Sequence, residues 1–349
     1  MISSKFILRK FLLLICLCFS ISVFANEDST AVSSAKFNPG KLIMGHIMDQ
    51  HEWHLWGKDE HAVVIPLPII LYNKEHGFNC FLSNRFEEEH GSYSGYKMNE
   101  EGHITSKDGS VFYDISITKN VLSLFISAAI LLFVFLSVAK AYTRNKDKAP
   151  KGLQGAMELI IVFVRDDIAK AAIGEKNYAR FMPYLLTIFF FIWVNNLLGL
   201  IPIFPGGANV TGNIAIPLTL AIFTLVIMLG SSNKNYWRHI FAMPGVPIYV
   251  LPIITLLEVI GVFLKPFVLM VRLFANIMAG HIVMLVFFCL IFVAGEASTG
   301  AGFGAAVPSV AFSIFISLLE LLVGFLQAFV FTFLSAIYFG MATAEDNHH

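Results

Sequence analysis

Two apolar blocks near the C-terminal end of this chain are longer than a membrane-spanning helix needs to be. They cover about residues 248 to 294 and about residues 306 to 342, and the Gly-rich stretch GEASTGAGFGAAVP separates them. A helix of 40 residues rises about 60 Å, which is twice the hydrocarbon thickness of roughly 30 Å. Such helices must tilt strongly or break, and a strong tilt requires a protein surface to lean against. The two blocks therefore predict a long, tilted helical hairpin.

The remaining apolar runs indicate a polytopic membrane protein. Of 349 residues, 56% are hydrophobic and only 14% are charged, whereas soluble proteins carry about a quarter charged residues. Further spans are expected at about residues 120 to 142, at RFMPYLLTIFFFIWVNNLLGLIPIF and at NIAIPLTLAIFTLVIMLG. The charged segment GLQGAMELIIVFVRDDIAKAAIG fits an amphipathic helix on the cytoplasmic face. We expect an all-α membrane domain of about five transmembrane helices over residues 119–345, with a cytoplasmic tail at 346–349.

The N-terminal third has the features of an exported region. Residues 1–25 combine basic residues, an apolar core and Val23-Phe24-Ala25, as a cleavable signal peptide does; an uncleaved first membrane helix is the alternative. Within residues 26–118, VVIPLPIILY and GSVFYDISIT are typical of strands, which predicts a small β-rich extracytoplasmic cap. The basic loop TRNKDKAPKG favours the cytoplasmic side by the positive-inside rule. Both signals place the mature N-terminus outside and the C-terminus inside.

A histidine cluster in the cap is the one feature that suggests a metal. His46, His51, His54 and His61 lie within sixteen residues, but their spacing matches no defined zinc site. The four cysteines show no metal-ligand spacing either. We therefore expect a structural or interfacial role for the histidines, no metal and no cofactor. The formal net charge of zero gives no argument for nucleic acid as a partner.

Ionisable and amide side chains interrupt the two long blocks. Intramembrane ionisable groups cost a few kcal/mol each and are functional candidates by default. Arginine stays charged under ordinary conditions, whereas histidine and glutamate exchange protons, so the pattern predicts a proton relay beside a fixed positive charge. The relay residues are His281 and Glu320, the barrier is Arg272, and the other polar candidates are Glu258, Asn276 and Gln327.

The position of Arg272 argues for a second protein. Glu258 lies about 21 Å along the helix from it, and no other acid of the chain is clearly at its depth. The alternative is that Arg272, Glu258 and Glu320 pair as internal struts. Antiparallel packing of the blocks would bring His281 and Glu320 to similar depth. An unpaired arginine in a bilayer implies a carboxylate from another protein.

The motifs around these residues resemble subunit a of the F-type ATP synthase, the stator channel of the F0 sector. The resemblance covers roughly residues 110 to 345. It is strongest at LKPFVLMVRLFANIMAGH and LLELLVGFLQAFVFTFLSAIYFGMA, and GLQGAMELIIVFV, NNLLGLIP and ANVTGNIA support it. Many bacterial relatives have an acid in place of His281 and a histidine in place of Glu320. That exchange preserves an acid–histidine pair, and we expect the two side chains to touch.

The resemblance implies an ion-translocating subunit without a catalytic site of its own, in a bacterial inner membrane. Arg272 would be the essential stator charge, supported by Asn276, between two offset proton half-channels that serve a ring of c subunits. The implied partners are the c ring, the b subunits of the peripheral stalk, the rest of the ATP synthase and membrane lipid. The outer half-channel would be lined by Asn209, Asn213, His281, Glu320 and Gln327, and the inner one by Glu258.

Proteins of other classes fit the pattern less well. A secondary transporter normally shows two related halves with broken helices at matching positions, and no such repeat is visible. A simple ion channel gains nothing from a fixed central cation. For an enzyme, the chain lacks a Gly-rich phosphate loop, an HExxH motif and a nucleophile with a base.

Overall fold

The computed structural model describes most of the chain between residues 38 and 344. The described residues are 38–56, 63–74, 77–88, 92–99, 102–144, 149–201, 204–242 and 247–344. The predicted signal peptide at 1–25 and the predicted tail at 346–349 lie outside these ranges. The described residues form a β-rich N-terminal cap and a helical part.

The described residues of the cap, which lie between residues 38 and 118, form three small antiparallel sheets. Strands β1 and β2 form a hairpin, β3 is the central strand between β4 and β8, and β6 is central between β5 and β7. Its elements in order are α1 (Pro39–Ile47), β1 (Glu52–Trp56), β2 (Val63–Pro66), β3 (Pro68–Asn73), β4 (Gly77–Leu82), α2 (Asn84–Glu88), β5 (Ser92–Tyr93), β6 (Tyr96–Met98), β7 (Ile104–Ser106) and β8 (Phe112–Asp114). The predicted β-rich cap is confirmed.

The alternation of side chains along β3 builds the core of the cap. Ile69 and Leu71 are fully buried, whereas Ile70 between them and Tyr72 after them are more exposed. This alternation arises because successive side chains of a strand point to opposite faces. Phe86 of α2 and Tyr96 of β6 close this small core.

The helical part confirms the predicted number of membrane spans. Of the described helices, α3, α6, α9 and α10 are long and apolar enough to cross a membrane, and α7 with α8, bent by 102° at a short break, makes a fifth candidate. The elements are α3 (Lys119–Arg144), α4 (Leu153–Phe163), a π-helical segment (Val164–Lys170), α5 (Ala171–Ile173), α6 (Tyr178–Leu200), α7 (Ala215–Gly230), α8 (Lys234–Phe241), α9 (Leu251–Ala297) and α10 (Thr299–Thr343).

The π-helical segment shows the amphipathic character predicted for its sequence. Val164 and Ile168 are fully buried and pack into the main helical core. On the opposite side, Asp166 accepts hydrogen bonds from Arg165 at 2.8 and 2.9 Å and pairs with Lys170 at 2.9 Å. Those bonds hold the pKa of the Asp166 carboxyl well below its usual range. One face of this segment is therefore apolar and the other ionic.

The two long helices form an antiparallel hairpin. Helix α9 has 47 residues and α10 has 45, so each is about 70 Å long and neither is divided into separate helices. Paired contacts run along the hairpin, from the stacked rings of Phe287 and Phe312, 5.3 Å apart, to Lys265 beside Tyr338. Helices of this length span a bilayer only when strongly tilted.

The Gly-rich linker predicted between the two blocks is helical, which corrects the expected boundary. Helix α10 begins at Thr299, one residue after Ser298, whose hydroxyl caps it by accepting a hydrogen bond from the Ala301 amide at 3.1 Å. The glycines allow the two helices to pack closely and do not form a flexible loop. A Cβ at Gly302 would lie 2.9 Å from Cα of Gly295, so glycine allows the two helices to meet at the turn.

Candidate functional site

A polar cavity lies among α6, the loop that follows it, α9 and α10. It is small and partly open, with about 20 Å³ of space for the centre of a water-sized sphere, which is enough for about one water molecule. Polar lining at this position is unusual, because the surrounding helices are apolar enough to cross a membrane. The lining residues are Asn195, Asn196, Gly199, Leu200, Asn209, Thr211, Asn276, Ile277, His281, Glu320 and Val323.

His281 and Glu320 meet in this cavity, which confirms the predicted contact. Nδ1 of His281 lies 3.6 Å from Oε1 of Glu320, with 15% and 11% of the two side chains exposed. This distance is too long for a hydrogen bond, so the contact is electrostatic. Nδ1 also lies 3.2 Å from the Ile277 carbonyl oxygen, one turn earlier in α9. Both side chains belong to types that can bind and release a proton.

A glycine makes room for the carboxylate. An ideal Cβ at Gly280 would collide with Oε1 of Glu320 and lie 3.1 Å from its Cγ and Cδ. The carboxylate of α10 therefore rests directly on the backbone of α9, beside His281. The sequence contains this glycine in the AGH motif, but only the packed structure shows that it lies against the Glu320 carboxylate.

Amide side chains cross-link the walls of the cavity. Asn196 donates to the Gly324 carbonyl of α10 at 3.0 Å and accepts from the Thr211 hydroxyl at 2.7 Å. Three buried polar atoms of the lining, Oδ1 of Asn195, Nδ2 of Asn209 and Oε2 of Glu320, have no hydrogen-bond partner among the described residues. Water is the usual partner of such groups in a polar cavity. The cavity therefore suits water and mobile protons.

Three residues of this lining were not predicted from the sequence. Asn195, Asn196 and Thr211 were not among the candidate residues, although Asn209 was. The signal available was the adjacent Asn195-Asn196 pair inside an otherwise apolar run. Adjacent residues on a helix point in different directions, and the structure shows that both still reach the cavity.

Arg272 lies outside the cavity on the exposed surface of α9. It is one helical turn from Asn276, which is exposed and also lines the cavity. Among the described residues, no carboxylate lies within 4.0 Å of its guanidinium. The guanidinium interacts electrostatically with the phenol of Tyr338 on α10. This arrangement presents a permanent positive charge one helical turn from the lining of the cavity that holds His281 and Glu320.

The remaining candidate residues, Glu258, Asn213 and Gln327, are not part of the cavity lining. Glu258 is half-buried on α9 and interacts electrostatically with Tyr236 of α8 and with Lys265. Asn213 does not line the cavity; its Oδ1 accepts a hydrogen bond from the Ala215 amide at 3.1 Å, at the start of α7. Gln327 is buried on α10, two turns from Glu320, and is also not part of the lining.

The histidine cluster of the cap does not form a metal site within the described part of the chain, where no group of three or more metal-ligating side chains occurs. His61 and the side chains of His46 and His54 lie outside the described structure. His51 pairs with Asp114 at 3.7 Å. Partial burial alone would raise the pKa of Asp114, but the nearby His51 ring and a hydrogen bond from the Ser116 amide outweigh it, and the pKa lies below its usual value.

Comparison with known proteins identifies two regions of the chain. Residues 121–340 match the family model described as ATP synthase A chain, and residues 42–122 match a domain of unknown function, DUF8433. ATP synthase subunit a of Chloroherpeton thalassium is 46% identical over 244 residues, covering 68% of this chain and 69% of that protein. ATP synthase subunit a 2 of Prosthecochloris aestuarii is 46% identical, covering 68% and 71%. ATP synthase subunit a of Myxococcus xanthus is 40% identical, covering 68% and 76%.

Proposed function

The chain belongs to the ATP synthase A chain family, and on that premise we propose that it forms two offset proton half-channels separated by Arg272. Family membership makes it a multi-pass membrane subunit of the F-type ATP synthase that takes part in proton translocation and carries no catalytic site of its own. The observation that carries the proposal is the polar cavity holding the His281–Glu320 contact beside an exposed arginine that has no carboxylate partner among the described residues.

The cavity serves as the outer half-channel. Protons enter from the side of the cap, pass Asn209 and exchange between Glu320 and His281. Asn276 lies at the end of the cavity nearest Arg272, where a ring carboxylate receives the proton. Gln327 borders this route along α10, and Asn213 contributes by holding the start of α7. A ring carboxylate that has been neutralised in this way enters lipid at far lower cost than a charged one.

Arg272 acts as the stator charge. At about 4 Å and an effective dielectric constant near 20, its attraction for a carboxylate is about 4 kcal/mol. This attraction favours ionisation of each carboxylate that returns from lipid, and the fixed charge blocks direct proton flow between the half-channels. The released proton leaves through an inner half-channel that Glu258 lines.

The exposed face of the hairpin forms the surface for the c ring. Large apolar side chains stay exposed along it, including Phe263 at 62% and Leu318 at 63%. Helices about 70 Å long that are strongly tilted need a protein surface to lean against, and a ring of c subunits supplies one. The b subunits of the peripheral stalk and membrane lipid cover other faces.

The orientation follows from the charge distribution. The cap, residues 26–118, lies outside the membrane after export by the signal peptide at 1–25, and the membrane domain at 119–345 ends in a cytoplasmic tail. Basic residues after α3 support this orientation. The location is the inner membrane of a bacterium.

The test is the substitution Arg272→Ala in inverted membrane vesicles that carry the assembled complex, with ATP-driven acidification followed by a pH-sensitive dye. We expect acidification to disappear and a passive proton leak to appear. Lys265→Met is the matched control, since it removes a cation two turns away on the same helix and should leave acidification intact. Acidification in the Arg272→Ala variant at the rate of the control would show that Arg272 is only a structural strut.

A further inference from the structure

The outer face of the sheet β4–β3–β8 is apolar although it stays exposed in the described chain. Its exposed side chains are Tyr72, Phe78, Cys80, Leu82, Tyr113 and Ile115. Phe78 is 65% exposed and Ile115 is 62% exposed, whereas an antiparallel sheet with one face in water normally places polar residues on that face. The only charged residue of these three strands, Asp114, points away from this face and lies 3.7 Å from His51. The outer face therefore suits an apolar covering better than water.

This sheet is joined directly to a membrane-spanning helix. After β8 the chain continues along β3, because the Ile115 amide donates to the Ile70 carbonyl at 2.9 Å. The Ile117 amide then donates to the Pro68 carbonyl at 3.1 Å, and α3 begins two residues later, at most about 7 Å along the chain. Helix α3 has 26 residues and rises about 39 Å, so its ends extend beyond a hydrocarbon core of roughly 30 Å into the headgroup regions. The sheet therefore begins at the membrane surface.

Hydrogen bonds fix the angle between the cap and α3. Asp49 accepts hydrogen bonds from the Thr118 hydroxyl at 2.8 Å and from the Asn120 amide at 3.0 Å, on either side of the first residue of α3. In the following turns, Val121 and Phe125 present exposed apolar side chains. The apolar outer face of the sheet and the exposed apolar side of α3 are thus parts of one rigidly connected surface.

The chemistry of the outer face changes with distance from α3. Tyr72 pairs with Phe78 on one side and with Tyr113 on the other, which forms an aromatic row across the sheet. Leu82 and Ile115 belong to rows nearer to α3, and such rows are about 7 Å apart. Aliphatic side chains next to the membrane and tyrosines further out follow the order of a membrane interface, where aromatic rings with a polar tip lie at the level of the headgroups. This order favours lipid as the covering.

We propose that the outer face of the sheet β4–β3–β8 rests on the lipid bilayer at the end where α3 begins. Leu82 and Ile115 lie at the boundary between headgroups and acyl chains, and the aromatic row lies among the headgroups. Surfaces of this kind bind the interface through the apolar area that they bury. The contact holds the cap against the membrane, and it does not depend on the proposed half-channels.

Cys80 provides a native attachment point for a probe on this face. It pairs with Ile70 in the row between Leu82 and the aromatic row, and its thiol is free and exposed. The complete ATP synthase is labelled in detergent with bimane, a small fluorophore, and reconstituted into liposomes of phosphatidylethanolamine and phosphatidylglycerol. Quenching is measured with a lipid that carries a nitroxide on its headgroup and, separately, with iodide on both sides of the membrane. A complex with Cys80→Ser is treated in the same way, and its signal is subtracted to remove labels on other cysteines.

The matched control is Thr105→Cys in a chain that also carries Cys80→Ser. It places the same probe at an exposed position of β7, in another sheet of the cap. We expect the nitroxide lipid to quench the probe at Cys80 severalfold more than the probe at position 105, and iodide to show the opposite order. Equal quenching at the two positions would overturn the proposal, because the outer face would then lie in water. A Cys80 that resists labelling, or whose probe is shielded from both quenchers, would also overturn it, because a protein would then cover the face.

A charge on the outer face gives a second test. Ile115→Glu adds a carboxylate to the row of Cys80, and the exposed side chain of Ile115 can be replaced without disturbing the core of the cap. Because a carboxylate is repelled by anionic lipid and is costly to remove from water, we expect lipid quenching at Cys80 to fall severalfold. Thr105→Glu is the same type of change on the other sheet and should leave the quenching as it is. Unchanged quenching in the Ile115→Glu complex would contradict the proposal.

Discussion

The substitution Gly280→Ala tests whether the position of the Glu320 carboxylate matters. The new methyl group would collide with Oε1 and lie 3.1 Å from Cγ and Cδ, so the carboxylate must move by about 1 Å to restore ordinary contact distances. The contact with Nδ1 of His281, now 3.6 Å, would lengthen to about 4.6 Å. At an effective dielectric constant near 20, the attraction between the charged forms weakens by about 1 kcal/mol.

A loss of about 1 kcal/mol corresponds to about a fivefold lower rate of proton transfer through the pair. We expect ATP-driven acidification by inverted vesicles to fall by about that factor. The assay compares initial rates, normalised to the amount of assembled complex. ATP hydrolysis coupled to pumping should fall in parallel.

Gly295→Ala provides the matched control. It is the same substitution in the same helix, and a Cβ at Gly295 meets nothing within 4 Å. Both variants gain helix propensity of about 1 kcal/mol, so a general effect on α9 appears in both. Equal pumping by the two variants would refute the reasoning, because the collision with Glu320 would then have no consequence.

Three further predictions concern the cavity and the cap. In a double-mutant cycle, His281→Ala and Glu320→Ala should reduce proton flux non-additively, because the two side chains touch; additive effects would argue against a shared relay. Asn196→Leu should lower the free energy of unfolding of the purified complex by about 1–3 kcal/mol, measured by thermal denaturation. The loss should exceed that of Thr211→Val, since Asn196→Leu removes the side-chain partner of both the Gly324 carbonyl and the Thr211 hydroxyl. Asp114 has a lowered pKa, so its contribution to cap stability is present above its usual value of about 4 and is lost as the pH falls through the lowered value. Hydrogen exchange should therefore show the Asp114→Asn cap less protected than wild type at pH near 6, with the difference disappearing once the pH has fallen below the lowered pKa of Asp114.

The long helices and the relay pair could be predicted because their signals are local. Uninterrupted apolar sequence determines a helix in lipid, where every backbone polar group must be satisfied within the segment. Once α9 and α10 are antiparallel, the positions of His281 and Glu320 relative to the turn fix their common depth. The boundary at Ser298 was missed because the turn depends on this single extended residue, whose hydroxyl caps the start of α10. The surrounding glycines instead resemble a flexible linker in the sequence.

The lining of the cavity was harder to predict because it depends on contacts between distant parts of the chain. Asn196 reaches Gly324, 128 residues away, and no periodicity in either segment reveals this pairing. The same holds for Lys119, which reads in sequence as the polar start of a membrane helix. In the structure it is only 9% exposed, next to Asn120, whose amide donates to Asp49 of the cap.

The contrast between the two kinds of charged group explains how the chain divides its work with a partner. His281 and Glu320 are mostly buried and already in contact within this chain. Arg272 is exposed and lacks a carboxylate among the described residues, although an arginine facing lipid is costly. In the proposed function, a partner brings its carboxylate to Arg272, beside Asn276 at the end of the cavity, and this carboxylate offsets the cost of the exposed arginine. This chain would then supply the proton-exchanging pair and a moving partner the carboxylate, so that proton transfer requires both.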